Sequence, residues 1–190
     1  MFFESIKILD GKVYNLKYHQ QRVDRTLKHF KLPKLQLQNW IDPPQKGLYK
    51  LKLIYYDTIL DMQYMPYKPK KIRSIGFVQS GVKYSYKYLQ RAAIDSLHDG
   101  SVDAVIITQE GFVTDTTIAN IAFYDGKRWI TPAKPLLKGT ARQRYIDNKM
   151  LTLADIRQSE VSQFEAIAFM NAMIGFYEVK DFIIKDIDVF

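Results

Sequence analysis

Four dipeptides in which an acidic residue precedes glycine divide this chain into short segments. They are Asp10-Gly11, Asp99-Gly100, Glu110-Gly111 and Asp125-Gly126. Such a dipeptide is typical of a tight turn, because glycine readily adopts the positive φ that these turns require. The pattern therefore predicts a fold that contains many short strands.

The segments between these turns carry two kinds of hydrophobic pattern. Alternation of apolar and polar residues predicts paired strands at residues 2–13 and 48–67. Apolar residues recur at helical spacing at residues 16–30, after Asn15, which is suited to cap a helix. Further helices are predicted at residues 86–97 and 140–153, and further strands at residues 75–78, 104–108, 120–124, 128–131 and 164–169. This mixture predicts an α+β fold.

A charged, proline-containing stretch at residues 68–73 separates the two halves of this pattern. Boundaries between compact regions commonly lie in such exposed linkers. We therefore expect a small α+β lobe at residues 1–72 and a larger lobe at residues 73–190.

The composition excludes several classes of protein. With 190 residues, 47% of them hydrophobic and 25% charged, the chain is a globular protein. Its longest nearly apolar run, residues 166–177, is interrupted by Asn171 and is shorter than the roughly 20 residues that a membrane span needs. Glu4 interrupts the apolar N-terminus, so we expect a cytoplasmic protein without a secretory signal. The chain lacks cysteine and its three histidines are far apart, so no metal site is expected.

The net charge of +8 leaves three interpretations open. Basic residues at 68–73 resemble a small nucleic-acid patch, and a basic surface attracts polyanions in general. A solvated surface is the more common reason for such a charge. A site for small phosphorylated or carboxylated ligands is the third interpretation, and composition does not choose among them.

Six sequence blocks in a fixed order are more specific than any one motif. They are FESIKILDGKVYNLKYHQQRV, KYLQR, GFVTDTTIANIAF, WITP, LLKGTARQ and FMNAMIGF. Together they resemble the class IV aminotransferase family of pyridoxal-phosphate enzymes, which have fold type IV, and within it the 4-amino-4-deoxychorismate lyases. Met1 stands where the family already has its F-E-S strand, so the resemblance implies a reduced small lobe followed by a pyridoxal-phosphate-binding lobe.

The resemblance implies that Lys87 is the catalytic, Schiff-base lysine. Its block matches the family's lysine motif, with Gln90 where asparagine is usual. A lysine amine can hold the cofactor and then act as a general base. Without the resemblance Lys87 would be interpreted as a surface lysine, and Lys83 is a weaker competitor for the role.

The cofactor phosphate has several expected ligands in this resemblance. Arg22 matches the arginine of the family's H-x-x-R pattern, and a guanidinium fork suits two phosphate oxygens. Gly139, Thr140 and Ala141 match the turn whose backbone N–H groups bind phosphate at a helix start. Asn171, Ala172 and Met173 match a block that borders phosphate and substrate, which implies cofactor binding by Asn171 and Ala172 and substrate binding by Met173.

The remaining candidates surround the cofactor ring and the substrate. Asp115 stands where the family has a glutamate that pairs with the pyridine nitrogen, so the carboxylate is kept on a shorter side chain. Asn120 matches the asparagine that follows this acid, and we expect it to fix the loop at the cofactor. Lys50 matches a basic position that can meet a substrate carboxylate, and the alternatives are that Lys52 has this role or that neither lysine has it.

The resemblance implies a lyase that converts 4-amino-4-deoxychorismate to 4-aminobenzoate and pyruvate. A class IV transaminase that acts on branched-chain or D-amino acids is the alternative enzyme, and a non-catalytic basic binding protein is the alternative outside catalysis. The expected partners are a small-molecule amine and a second copy of the chain, as a homodimer, without nucleic acid or membrane.

Overall fold

The computed structural model describes residues 1–185. The described residues divide into two compact units, one formed by Met1–Pro69 with Tyr86–Gln90 and the other by residues 70–85 with 91–185. Within the described residues, no helix is both long and apolar enough to cross a membrane.

The first unit is an antiparallel four-stranded sheet covered on one face by a helix. Its elements are β1 (Phe2–Leu9), β2 (Lys12–Val13), α1 (Leu16–His29), β3 (Leu48–Tyr55) and β4 (Ile59–Pro66), with strand order β2-β1-β3-β4. Asp10 and Gly11 both have positive φ in the turn between β1 and β2, as the dipeptide predicted. The predicted strand pairs and the predicted first helix are therefore confirmed.

The core of the first unit lies between the sheet and α1. Val23 and Leu27 of α1 pack with Ile6 of β1 and with Leu51 and Leu53 of β3. All five residues are buried. Leu51 and Leu53 occupy alternate positions of β3, so the residues between them lie on the opposite face of the sheet.

Asn15 precedes α1 but does not cap it. Its φ of 55° places it in the left-handed region, and its side chain makes no capping hydrogen bond. An N-cap side chain reaches the first-turn N–H groups from an extended backbone, so the predicted cap is wrong.

The second unit contains two sheets whose side chains form a common core. One sheet has the order β13-β5-β6-β7, with β5 (Ser74–Gln79), β6 (Ala104–Gln109), β7 (Phe112–Thr116) and β13 (Ile183–Lys185). The other has the order β10-β9-β8-β11-β12, with β8 (Asn120–Tyr124), β9 (Trp129–Pro132), β10 (Leu151–Ala154), β11 (Ala166–Asn171) and β12 (Gly175–Val179). Two short α-helices, α2 (Ala92–Asp95) and α3 (Thr140–Asp147), and a 3₁₀ helix at Gln158–Gln163 complete the described part of this unit. Ile75, Ile106, Phe123, Ile167 and Phe169 are central core residues.

Two of the predicted helices are wrong over much of their length. Only Ala92–Asp95 is α-helical in the predicted helix at residues 86–97. The helix predicted at 140–153 ends at Asp147, because Lys149 has a φ of 58° and the chain turns. Residues 151–154 then form β10, which lies parallel to β9.

Candidate active site

The segment Tyr86–Gln90 lies along an edge of β1. The Phe3 N–H donates to the Lys87 carbonyl at 3.0 Å, and the Leu89 N–H donates to the Met1 carbonyl at 3.1 Å. These bonds satisfy backbone groups that a helix would have satisfied internally, which explains why residues 86–90 pair with β1 instead of forming a helix.

Alternation along this segment sets the direction of the Lys87 side chain. Tyr88 forms an antiparallel bridge with Phe2, so Lys87 and Phe3 lie on one side, while Tyr86 and Tyr88 lie on the other. The Lys87 Nζ atom is 4.4 Å from the centroid of the Phe3 ring, which is a cation–π distance. The half-buried Lys87 therefore lies on the sheet face opposite α1.

An aromatic cluster holds the two tyrosines that flank Lys87. Tyr86 stacks on His29 with ring centroids 4.6 Å apart, and Tyr88 lies 5.4 Å from Phe2. Phe30 contacts both tyrosines edge-on, at 5.1 and 6.3 Å. This cluster fixes the backbone that carries Lys87. The Tyr-Lys-Tyr alternation was the sequence signal that this segment pairs with a strand and is not helical.

A buried ion cluster lies between β1 and α1. Both Glu4 carboxylate oxygens are engaged: Arg22 donates to them from Nε at 2.8 Å and from Nη2 at 2.5 Å, and His19 Nδ1 lies 2.5 Å from Oε2. Burial disfavours ionisation of Glu4, but the Arg22 charge and the hydrogen bonds outweigh it and lower its pKa to about 2. Burial lowers the pKa of His19.

Arg22 thus has a structural partner that sequence analysis did not identify. Two of its guanidinium nitrogens bind Glu4, which stands in the F-E-S strand. The role of Arg22 as a phosphate ligand remains a prediction.

In the second unit, Asp115 of β7 is a buried carboxyl that is 4% exposed. Its Oδ1 accepts from Asn120 Nδ2 at 2.5 Å, and its Oδ2 accepts from the Leu137 N–H at 2.8 Å. Burial raises the pKa of Asp115 to about 7, while these hydrogen bonds and the charge of Arg142 oppose the rise. The ionisation of Asp115 therefore depends on burial, on its two hydrogen bonds and on nearby charges.

Gly139 is required by the close approach of Asn120. A β-carbon at Gly139 would clash with the Asn120 Oδ1 atom, whereas its φ of −71° is open to any residue. Asn120 also donates to the Leu137 carbonyl at 2.8 Å, so it ties the β7–β8 turn to the approach to α3. The structure thus brings together Asp115, Asn120 and Gly139.

Thr140 and Ala141 form the first turn of α3, directly after Gly139. Both residues are buried, and no side-chain hydrogen bond caps the start of this helix. First-turn N–H groups have no partner within their own helix, and they favour an anion. The position is therefore suited to a phosphate.

Sequence analysis missed Arg142. Its buried guanidinium donates from Nη2 to the Pro132 carbonyl at 2.8 Å, and its charge acts on Asp115. Burial lowers the pKa of Arg142, and Asp115 opposes this shift. The G-T-A-R block was its sequence signal, because Arg142 lies one helical turn after Gly139.

Asn171 ends β11 and organises the turn that follows. Its Oδ1 accepts from the N–H groups of Met173 and Ile174 at 2.9 and 3.0 Å, and its Nδ2 donates to the Ile118 carbonyl at 3.3 Å. Ala172 is half-buried in this turn, and Met173 is buried. Contacts of these residues with cofactor or substrate remain predictions.

Lys50 and Lys52 lie on β3 in the first unit, with Lys7 and Ser5 of β1 as their cross-strand partners. All four side chains are half-buried. In residues 1–185, no group of three His, Asp or Glu side chains is placed to hold a metal ion.

Comparison with known proteins gives matches in sequence and in structure. Residues 82–182 match the family model described as amino-transferase class IV. A protein of Haemophilus influenzae described only as "Uncharacterized protein" is 32% identical over 183 residues, which cover 91% of this chain and 97% of the relative.

Solved structures share the fold. The crystal structure of "a putative 4-amino-4-deoxychorismate lyase" from Haemophilus somnus 129pt is 32% identical, with a TM-score of 0.85, and the match covers 92% of this chain and 96% of that one. The pyridoxal-phosphate-bound form of a hypothetical aminotransferase from Mycobacterium tuberculosis is 17% identical, with a TM-score of 0.76 over 94% of this chain and 79% of that one, and is similar in fold. The predicted family and the predicted α+β architecture of fold type IV are confirmed.

Proposed function

The chain belongs to the amino-transferase class IV family of pyridoxal-phosphate-dependent lyases and aminotransferases, and we propose that it is a lyase that converts 4-amino-4-deoxychorismate to 4-aminobenzoate and pyruvate. The observation that carries this proposal is the 32% identity, over almost the whole of both chains, with the structure from Haemophilus somnus.

Two features of the second unit fit pyridoxal phosphate. Asp115 accepts hydrogen bonds from uncharged donors, and a protonated pyridine nitrogen beside it would favour its ionised form. The uncapped start of α3 offers the N–H groups of Thr140 and Ala141 to a phosphate. The proposed cofactor-binding residues are Arg22, Lys87, Asp115, Asn120, Gly139, Thr140, Ala141, Asn171 and Ala172.

When bound, the cofactor withdraws electrons from the amine-bearing carbon of the substrate. Lys87 Nζ accepts the proton from that carbon. The C–O bond on the neighbouring ring carbon then breaks, the departing enolpyruvate takes up a proton to become pyruvate, and the remaining ring becomes aromatic, so the elimination is effectively irreversible. No keto acid is consumed, which distinguishes this reaction from transamination.

The other residues stabilise the charge of Asp115 and keep Lys87 in position for this proton transfer. Asp115 would pair with the ring nitrogen of the cofactor, and Asn120 keeps the Asp115 carboxylate in place by its hydrogen bond. Arg142 favours the ionised form of Asp115, because its charge opposes the effect of burial. The aromatic cluster positions Lys87 through Tyr86 and Tyr88.

The test measures products and covalent attachment separately. Cofactor-loaded protein mixed with 4-amino-4-deoxychorismate should release 4-aminobenzoate and pyruvate in equal amounts without a keto acid. Borohydride treatment should attach the cofactor mass to Lys87, which mass spectrometry of peptides locates. Lys87→Ala should abolish both results, whereas the matched control Lys83→Ala should retain them.

Two outcomes would contradict these assignments. Transfer of the amine to an added keto acid, without 4-aminobenzoate, would make the protein a transaminase. Attachment of the cofactor mass to Lys83 would show that the lysine motif has been placed on the wrong residue.

We also propose that the protein is a homodimer, as the family resemblance implies. Sedimentation of the cofactor-loaded protein should give twice the chain mass of 22.3 kDa. A monomer that retains full lyase activity would contradict this proposal.

A further inference from the structure

His19 of α1 has a buried ring nitrogen that forms no hydrogen bond. The side chain is 1% exposed, and its Nδ1 atom lies 2.5 Å from Glu4 Oε2. Its other nitrogen, Nε2, is buried and has no hydrogen-bond partner among the described residues. Buried polar atoms in folded proteins almost always have a partner, so this exception points to a bound group or a chemical role.

The contact with Glu4 decides which ring nitrogen of His19 carries the proton. Glu4 is ionised at neutral pH, because its pKa is lowered to about 2, and an ionised carboxylate only accepts hydrogen bonds. Nδ1 therefore carries the hydrogen that it donates to Glu4, and in the neutral ring Nε2 carries a lone pair. His19 can donate from Nε2 only after this nitrogen takes up a proton.

Burial and two cations keep His19 neutral in the cofactor-free protein. Burial is the main reason why the pKa of His19 is lowered, and the charges of Arg22 on α1 and of Lys87 in the segment Tyr86–Gln90 act in the same direction. Glu4 of β1 acts against them. An ordinary histidine has a pKa of about 6.5, so a lowered pKa leaves His19 neutral at pH 8.

Arg22 lies next to His19 in the same cluster. The two residues are three positions apart on α1, so they share one face of the helix. Arg22 Nη2 and His19 Nδ1 are each 2.5 Å from Glu4 Oε2, so these two nitrogens are at most about 5 Å apart. A phosphate bound by Arg22 places two negative charges close to the His19 ring. Because charges in a buried site are weakly screened, a dianion there favours the protonated ring.

We propose that His19 is a proton-accepting residue of the phosphate site: it is neutral in the free protein and becomes a cation when a phosphate dianion binds at Arg22. Glu4 and Arg22 compensate each other's charge, so the added proton gives this buried cluster a net positive charge for the dianion. The inference rests on the phosphate role of Arg22 in the function proposed above, and it adds proton uptake to cofactor binding.

Nitrogen NMR of the histidine rings tests this in the cofactor-free wild type. The probe is 4-deoxypyridoxine 5-phosphate, which has the phosphate of the cofactor but lacks the aldehyde that reacts with lysine. At pH 8 its phosphate is a dianion, because the second pKa of a phosphate ester is about 6. Saturation with the probe should change the His19 Nε2 signal from that of an unprotonated nitrogen to that of a protonated one. The matched compound without phosphate, 4-deoxypyridoxine, should leave this signal unchanged.

Calorimetry in two buffers of different ionisation enthalpy counts the protons that are taken up with the probe. Wild type should take up about one proton more than His19→Gln, in which a neutral amide replaces the ring. This difference cancels any proton that the ring of the probe or Asp115 takes up. The matched control is His98→Gln, which changes a histidine of the second unit and should take up as many protons as wild type.

Three outcomes would overturn the inference. The first is a His19 signal that stays unprotonated while the probe binds to wild type, a result that does not depend on the folding of any variant. The second is equal proton uptake by wild type and His19→Gln. The third is unchanged affinity for the probe in Arg22→Met, which would also reject the phosphate role of Arg22.

The inference and the lyase function fail in different ways. Protonation of His19 on binding of the probe, without release of 4-aminobenzoate from the substrate, would support the inference and reject the lyase. Release of 4-aminobenzoate by a protein whose His19 stays neutral with the probe bound would support the lyase and reject the inference.

Discussion

At the scale of single residues, Asp115 should make the stability of the cofactor-free protein depend on pH. Its pKa is raised by burial from an ordinary value of 3.8 to about 7. The folded state therefore holds the proton more tightly, and this contribution to stability is present below pH 3.8 and is lost as the pH rises through 7. We expect the melting temperature of wild type to fall more between pH 4 and pH 8 than that of Asp115→Asn. An equal fall in melting temperature for wild type and Asp115→Asn would contradict this expectation. The control is Asp181→Asn, which changes an exposed carboxylate.

The lowered pKa of Glu4 predicts the opposite dependence of stability on pH. Its pKa is lowered from 4.5 to about 2, so its contribution to stability is present above pH 4.5 and is lost as the pH falls through 2. Glu4→Gln removes one partner of the buried Glu4–Arg22 ion pair and should lower the free energy of unfolding at pH 7 by about 3–5 kcal/mol. Urea denaturation at pH 7 and pH 2 measures the difference, which should shrink at pH 2.

The control for Glu4 is Glu178→Gln, which removes an exposed ion pair with Lys180 at 3.5 Å and should change stability little. An equal loss of unfolding free energy in Glu4→Gln and Glu178→Gln would show that the buried Glu4–Arg22 ion pair stabilises the protein no more than an exposed one.

At the scale of elements, the segment Tyr86–Gln90 should loosen when an aromatic ring is removed from it. Tyr88→Ala loses ring contacts with Phe2 and Phe30, and hydrogen exchange at the Phe3 and Leu89 amides should become roughly tenfold faster. Tyr88→Phe keeps the ring and its contacts with Phe2 and Phe30, so its exchange should lie closer to wild type than that of Tyr88→Ala. Unchanged exchange in Tyr88→Ala would show that the backbone pairing alone holds the segment.

Sequence patterns predicted a helix or strand correctly where the hydrophobic spacing matches the hydrogen bonding of the folded chain. The strand predicted at residues 120–124 is β8, and the helix predicted at residues 16–30 is α1. The helix predicted at residues 86–97 is wrong at its start, because pairing with β1 and burial of Tyr86 and Tyr88 outweigh the spacing of Leu89, Ala93 and Leu97.

At the scale of the whole molecule, the net charge of +8 should cause only weak association with nucleic acid. The exposed basic residues of the linker at 68–73 include no aromatic side chain that could stack on bases, although Tyr67 precedes them. Fluorescence anisotropy with a DNA duplex should show binding at low salt that is lost near physiological salt. Binding that persists there, and that pyridoxal phosphate does not displace, would instead favour the basic binding protein.

The sequence by itself determined the turns, most strands, the first helix and the motif positions of the site residues. These depend on local chemistry, such as the positive φ of Asp10-Gly11 and the alternation in β1 and β3. Tertiary structure alone decided that residues 86–90 return to β1 and that Glu4 holds Arg22. It also set Lys7 across from Lys50. Each of these is a contact between residues far apart in the chain, and it follows from which strand edges and buried charges meet in the folded protein.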